Sequence, residues 1–123
     1  MDNDLKNVLN DFRKMKIDYD IERFKLMSYQ LENLINDYNK LIKLSKEIQE
    51  RHMTTIENIN RNDIEVRIDY DKWAWEKSNE VKKWESELNE LYDIKYEIDN
   101  ALELLENGEI EKRLIEEEEK LKL

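Results

Sequence analysis

Several pairs of carboxylates in this chain stand at spacings that acid–base chemistry could use: Asp18/Asp20, Asp69/Asp71, Glu85/Glu87 and the run Glu116–Glu119. Paired carboxylates act as general acid and base when an enclosed pocket drives their pKa values apart. A slim helical protein offers no obvious enclosure, so these pairs are read as a solvated charged face. The calcium-loop spacing with its central glycine is absent, and no Glu-x-x-His pair supports a di-iron bundle. His52 is the only histidine, and there is no cysteine. A catalytic or metal-binding histidine needs partners that are missing here. His52 is therefore read as a polar residue in a helical interface, between Ile48 and Ile56, where it could set register or respond to pH. No catalytic residue, cofactor or metal is expected, and the chain is read as non-enzymatic.

The aromatic residues Tyr70, Trp73, Trp75 and Trp84 carry a different chemistry. Tryptophan and tyrosine are favoured where proteins bind one another. Trp73 and Trp84 lie about three helical turns apart and share a face. Trp75 is rotated from Trp73 by roughly 200°, so one of that pair is hard to bury in the same seam. Trp84 is assigned to the core. For Trp75 the conservative reading is packing against the N-terminal helix, and the functional reading is contact with a partner. The acids Glu76, Glu80, Glu87, Glu90 and Glu97 follow at spacings that put them on one side of the same helix, largely off its apolar seam. A negative stripe beside exposed aromatics could occupy a basic nucleic-acid groove; the plainer reading is the outer face of a helix. The candidate partner-binding residues are Tyr70, Trp73, Trp75, Glu76, Glu80 and Glu87.

Composition narrows the classes further. Proline never occurs, and Gly108 is the only glycine. These residues punctuate turns and strand ends, so a chain without them that is 42% charged is expected to be built from long helices. Phosphate loops, nucleophile elbows and dinucleotide turns all need glycine and are disfavoured by its absence. The 39% apolar content and the aromatic residues argue against a solvated, disordered chain. The net charge is −10, with −1 over the first 60 residues and −9 over the rest. Direct binding to a phosphate backbone needs clustered Lys and Arg and is not expected. An acidic second half suits solvation, a basic protein partner or imitation of nucleic acid. No signal peptide is expected, since residues 1–16 lack an uninterrupted apolar run. Nowhere do about 18 apolar residues follow in succession, so no membrane span is expected. A chain without cysteine is consistent with a cytoplasmic setting, the host cytoplasm if the source is viral. The asparagine-, lysine-, isoleucine- and glutamate-rich usage suggests an AT-rich coding genome, bacterial or viral.

The elements that must position these residues follow from periodicity. Phe24, Met27, Leu31, Leu34, Tyr38, Leu41, Ser45, Ile48, His52, Thr55 and Ile59 alternate spacings of three and four, a heptad seam along one helix. Ile35, Ile42 and Ile56 lie beside it and widen it. A second seam runs Val81, Trp84, Leu88, Leu91, Lys95, Ile98, Leu102, Leu105, broadened by Tyr92, Ile94 and Ala101. Between them, the polar cluster from Asn58 to Asp63 favours a turn. Residues 64–70 alternate apolar and polar with β-branched residues, a strand pattern echoed at Ile17–Ile21. A small β-ribbon is thus the minority reading. The helical alternative extends the first seam through Val66, Tyr70 and Trp73, even into one continuous helix. Leu5, Val8, Leu9, Phe12 and Met15 form an amphipathic stretch whose register does not run smoothly into Phe24. A stutter or break is therefore expected near residues 17–21; a break would give a separate N-terminal helix that could dock on the hairpin as a third member. Gly108 can take the left-handed cap that ends the second helix, leaving an acidic tail that looks like a marginal helix.

The expected fold is all-α: a long antiparallel helical hairpin or coiled-coil-like bundle with a short N-terminal helix. As a single domain it divides into an N-terminal segment 1–20, a long helix 21–60, a turn or strand-like connector 61–69, a second long helix 70–107 and a tail 108–123. The layout loosely resembles small phage-encoded helical regulators and scaffolding proteins, and no motif residue carries that resemblance to a family. The expected function is a protein–protein interaction or assembly module that self-associates, because one hairpin cannot easily cover both Ile35/Ile42 and Tyr92/Ile94. The alternative is an acidic phage-type inhibitor, an anti-defence protein that mimics nucleic acid and blocks a basic nucleic-acid-binding protein.

Overall fold

The structure is a computed structural model that describes residues 2–57 and 64–121. It contains three helices: α1 (Asp2–Glu57), α2 (Ile64–Glu106) and α3 (Glu109–Leu121). Among the described residues there is no strand. With no proline and no interior glycine to interrupt them, α1 and α2 satisfy their backbone hydrogen bonds internally over 56 and 43 residues. The fold is all-α, as expected. The turn assigned to Asn58–Asp63 lies outside the described residues.

Contacts group the chain into two compact units. The first comprises residues 33–93, where α1 and α2 pack antiparallel. Its core is Ile35 and Ile42 of α1 against Val81 and Leu88 of α2, with Tyr38, Trp84 and Leu91 packed around them. Polar contacts flank this seam. The Tyr38 hydroxyl donates to Glu87 Oε2 at 2.7 Å, Lys46 Nζ pairs with Glu85 at 2.8 Å, and Asn39 Nδ2 donates to the Tyr92 hydroxyl at 3.3 Å.

The buried face of α1 is turned by one residue from the expected one. Ile35 and Ile42 are 5% and 8% exposed, whereas Leu34 and Leu41 are 43% and 41% exposed. Phe24, Leu31, Tyr38 and Ser45 keep their places in the seam, but the positions between them are Ser28, Ile35, Ile42 and Gln49. A seam with apolar residues at three of every seven positions has two admissible axes, and the partner helix selects one. On α2 every expected seam residue from Val81 to Leu105 is buried or half-buried. Of the two pairs thought hard to cover together, Ile35/Ile42 is buried by α2, while Tyr92 and Ile94 stay exposed.

The second unit comprises residues up to Glu32 and from Ile94 onward. Here too α1 and α2 run antiparallel. Ser28 Oγ donates to Asp99 Oδ1 at 2.6 Å, and Lys25 Nζ lies 3.7 Å from Glu106. Ile17, Ile98 and Leu105 are its buried apolar residues. Gly108 has φ +81°, a left-handed conformation that suits glycine at a helix C-terminus. The Asn107 side chain then accepts the Glu109 backbone N–H at 2.9 Å, capping α3. The third helix is held to α1 by Arg13, buried at 8% exposure, which forms a forked ion pair with Glu118 and donates to Asn10 Oδ1 at 2.9 Å. The acidic tail is therefore a capped helix tied into this unit.

Three expectations are corrected. There is no separate N-terminal helix and no break near residues 17–21, because α1 is continuous from Asp2. The register mismatch has another origin: Leu5, Val8, Phe12 and Met15 are exposed, and the buried face of this stretch is Arg13 and Ile17, half a turn away. The strand-like residues 64–70 are the opening turns of α2, so 64–69 are not a connector. An isolated short strand would leave its backbone groups without a partner, whereas a helix pairs them locally. Ile17–Ile21 likewise lies inside α1.

Candidate protein-contact surface

The six candidate residues do not form one patch. Tyr70 and Trp73 turn toward α1. The Trp73 ring meets the His52 ring edge-on at 5.1 Å and 69°, and Tyr70 tilts against Trp73 at 5.9 Å. This is a small aromatic cluster of the kind that adds to packing beyond its area alone. His52, read from sequence as an interface residue, is exposed but reaches the interface through this contact.

The cluster carries unfinished hydrogen bonding. Among the described residues, the Tyr70 hydroxyl and Gln49 Nε2 are buried atoms without a hydrogen-bond partner. A buried polar group left unpaired costs about 1–3 kcal/mol. Burial also raises the Tyr70 pKa, with further contributions from the charges of Asp71 and Glu57. Beside it, Ser45, Ile48, Gln49, Trp73 and Lys77 line a groove of about 240 Å³. Sequence reading passed over Gln49, because a glutamine on a charged helix carries no signal until its burial is known.

Trp75 faces away from this cluster and is 68% exposed. The roughly 200° rotation between positions 73 and 75 explains the split. A tryptophan this exposed leaves most of a large apolar ring in water.

The acids divide as well. Glu76 is exposed. Glu80 is half-buried and pairs with Lys77 at 3.2 Å. Glu87 is half-buried and accepts from Tyr38. That hydrogen bond is the main reason the Tyr38 pKa is raised, followed by burial and the Glu87 charge. Of the wider stripe, Glu90 and Glu97 are exposed. The paired carboxylates likewise serve neighbouring side chains: Asp20 lies 3.9 Å from Arg23, and Glu85 pairs with Lys46. Among the described residues, no three His, Asp or Glu side chains converge to hold a metal ion, and no helix is long and apolar enough to cross a membrane. Comparison with protein-family models, curated proteins and solved structures gives no match for this chain.

Proposed function

We propose that the protein is a non-enzymatic helical interaction module that self-associates and presents the Trp75 face of α2 to a protein partner. The observation that carries this reading is the 68% exposure of Trp75 on a helix whose other tryptophans are drawn inward. Burial of an exposed tryptophan at an interface is worth about 2 kcal/mol or more when the ring becomes an anchor. The exposed Glu76 follows it directly on α2, while the Trp73 groove lies on the other side of that helix. A chain without cysteine suits a cytoplasmic setting for this role.

The alternative, an acidic mimic of nucleic acid, draws on the −10 charge. It is the weaker reading, because Glu80 and Glu87 are engaged with Lys77 and Tyr38. Pull-down with wild-type and Trp75→Ala protein at low and high salt separates the two. Loss of the partner with Trp75→Ala at unchanged helical circular dichroism, at both salts, is the expected result. A partner that needs low salt and responds to reversal of Glu76, Glu80 and Glu87 would transfer the function to mimicry.

A further inference from the structure

The N-terminal part of α1 carries two apolar seams, and only one is covered. Leu5, Val8, Phe12, Met15 and Tyr19 repeat at spacings of three and four, and each is between 62% and 71% exposed. Glu22 interrupts the series and Leu26, also exposed, resumes it. At 100° per residue this stripe lies roughly 180° from the buried face marked by Ile17, Phe24 and Ser28. Neither α2 nor α3 covers it, and a heptad stripe of this kind packs knobs into holes against a like helix.

The charges beside the stripe select the occupant and its direction. One flank carries Asp4, Asp11 and Asp18 and ends at Lys25, and the other carries Leu9, Lys16 and Arg23. All seven are exposed. In a parallel pair of identical helices, each flank meets the opposite flank of its partner five residues on. Asp11 then faces Lys16 of the second copy, and Asp18 faces Arg23. In an antiparallel pair each flank meets itself, so neither the Asp11–Lys16 nor the Asp18–Arg23 pair can form, and Asp11 and Asp18 are set against their own flank. We infer that the exposed Leu5–Leu26 seam is the interface of a parallel homodimer in which Asp11–Lys16 and Asp18–Arg23 pairs form across the axis. The exposed side chains offer on the order of 700–800 Å² per chain, near the roughly 800 Å² per partner of a stable interface. Glu22 falls on the axis opposite its own copy, so the tight part of the contact is Leu5 to Tyr19.

This inference deepens the self-association in the function proposed above and is separate from its Trp75 half. Trp75→Ala should leave dimerisation unchanged, so either half can fail alone. The experiment is sedimentation equilibrium on the full chain and on surface charge variants that leave the intramolecular seam intact. Wild type should reach twice the chain mass with rising concentration. Lys16→Asp should weaken dimerisation by about tenfold, because two attractive pairs become repulsive. The double variant Asp11→Lys/Lys16→Asp should restore it. Because the chain has no cysteine of its own, Val8→Cys provides a unique probe, expected to form an 8–8 disulfide under mild oxidation. A monomer at all concentrations, a dimer indifferent to Lys16→Asp, or a dimer that the Val8→Cys protein cannot crosslink would each overturn the proposal. The first of these would leave the seam to a different protein.

Discussion

Asp99 shows most clearly how single residues tie this chain together. It accepts from Lys95 Nζ at 2.7 Å, within α2, and from Ser28 Oγ at 2.6 Å, across to α1. The Lys95 hydrogen bond, then that of Ser28, hold its pKa below the usual carboxylate range against the opposing effect of burial. Lys95 is raised in return, chiefly by its bond to Asp99. A lowered carboxylate pKa contributes stability above the unfolded-state value, and that contribution is lost as pH falls through the folded value. A raised lysine pKa contributes below its unfolded value and is lost as pH rises through the folded one. The contact is therefore complete between the depressed Asp99 pKa and the raised Lys95 pKa. Asp99→Asn should lower stability by less than about 1 kcal/mol at neutral pH, because the pair is partly exposed and screened. Thermal melts of the two proteins should converge as the solution is acidified below the Asp99 pKa. A difference that persists in acid would mean that packing, not charge, is at work. None of this was legible in the sequence, where Asp99 is one acid among many and Ser28 was passed over for Met27.

At the scale of the element, the decisive question is which stripe of a helix is buried. Both Leu41 and Ile42 fit a heptad reading, and only the position of α2 separates them. Ile42→Ala should cost about 2–4 kcal/mol, since it empties a site against Val81 and Leu88. Leu41→Ala, at the rim, should cost less than about 1 kcal/mol. Urea unfolding of the two variants measures the contrast, and equal costs would contradict the rotated seam. The α2 seam was readable because Val81, Trp84, Leu88, Leu91, Ile98, Leu102 and Leu105 all fall on one axis, and Tyr92, Ile94 and Ala101 broaden it without offering a second. The stretch 64–70 was ambiguous because a run that alternates apolar and polar also supplies residues for a helix. The N-terminal stretch misled for a related reason: its strongest periodicity marks the face turned away from the intramolecular core.

At the scale of the whole molecule, the buried core is thin. Among the described residues, seven apolar side chains are buried and none is completely enclosed. Long helices that cover each other along a single seam leave the rest of their apolar residues in water. Anything that covers the outer seam of α1 therefore adds a sizeable share to the stability. If two copies pair there, the melting temperature should rise with protein concentration, as mass action requires when association occurs only in the folded state. Differential scanning calorimetry over a hundredfold concentration range reads this directly. A melting temperature independent of concentration over that range would mean that the copies do not pair there.

By itself, the sequence determined what local chemistry controls. The absence of proline and interior glycine dictated helices, Gly108 dictated where α2 stops, and the strict spacing from Val81 to Leu105 dictated the face that α2 buries. It also placed Trp73 and Trp75 on different sides of one helix, so that both could not share a seam. Only the tertiary structure decided which of two adjacent stripes α1 gives to its partner helix. It alone decided that Arg13 ties α3 to α1, that the Gln49 Nε2 and Tyr70 hydroxyl atoms are buried without a hydrogen-bond partner among the described residues, and that Trp75 is the tryptophan left outside. The physical reason is the same in each case. Periodicity and capping act through neighbours a few residues away, whereas burial and the pairing of charges depend on residues up to 105 positions apart, as for Arg13 and Glu118.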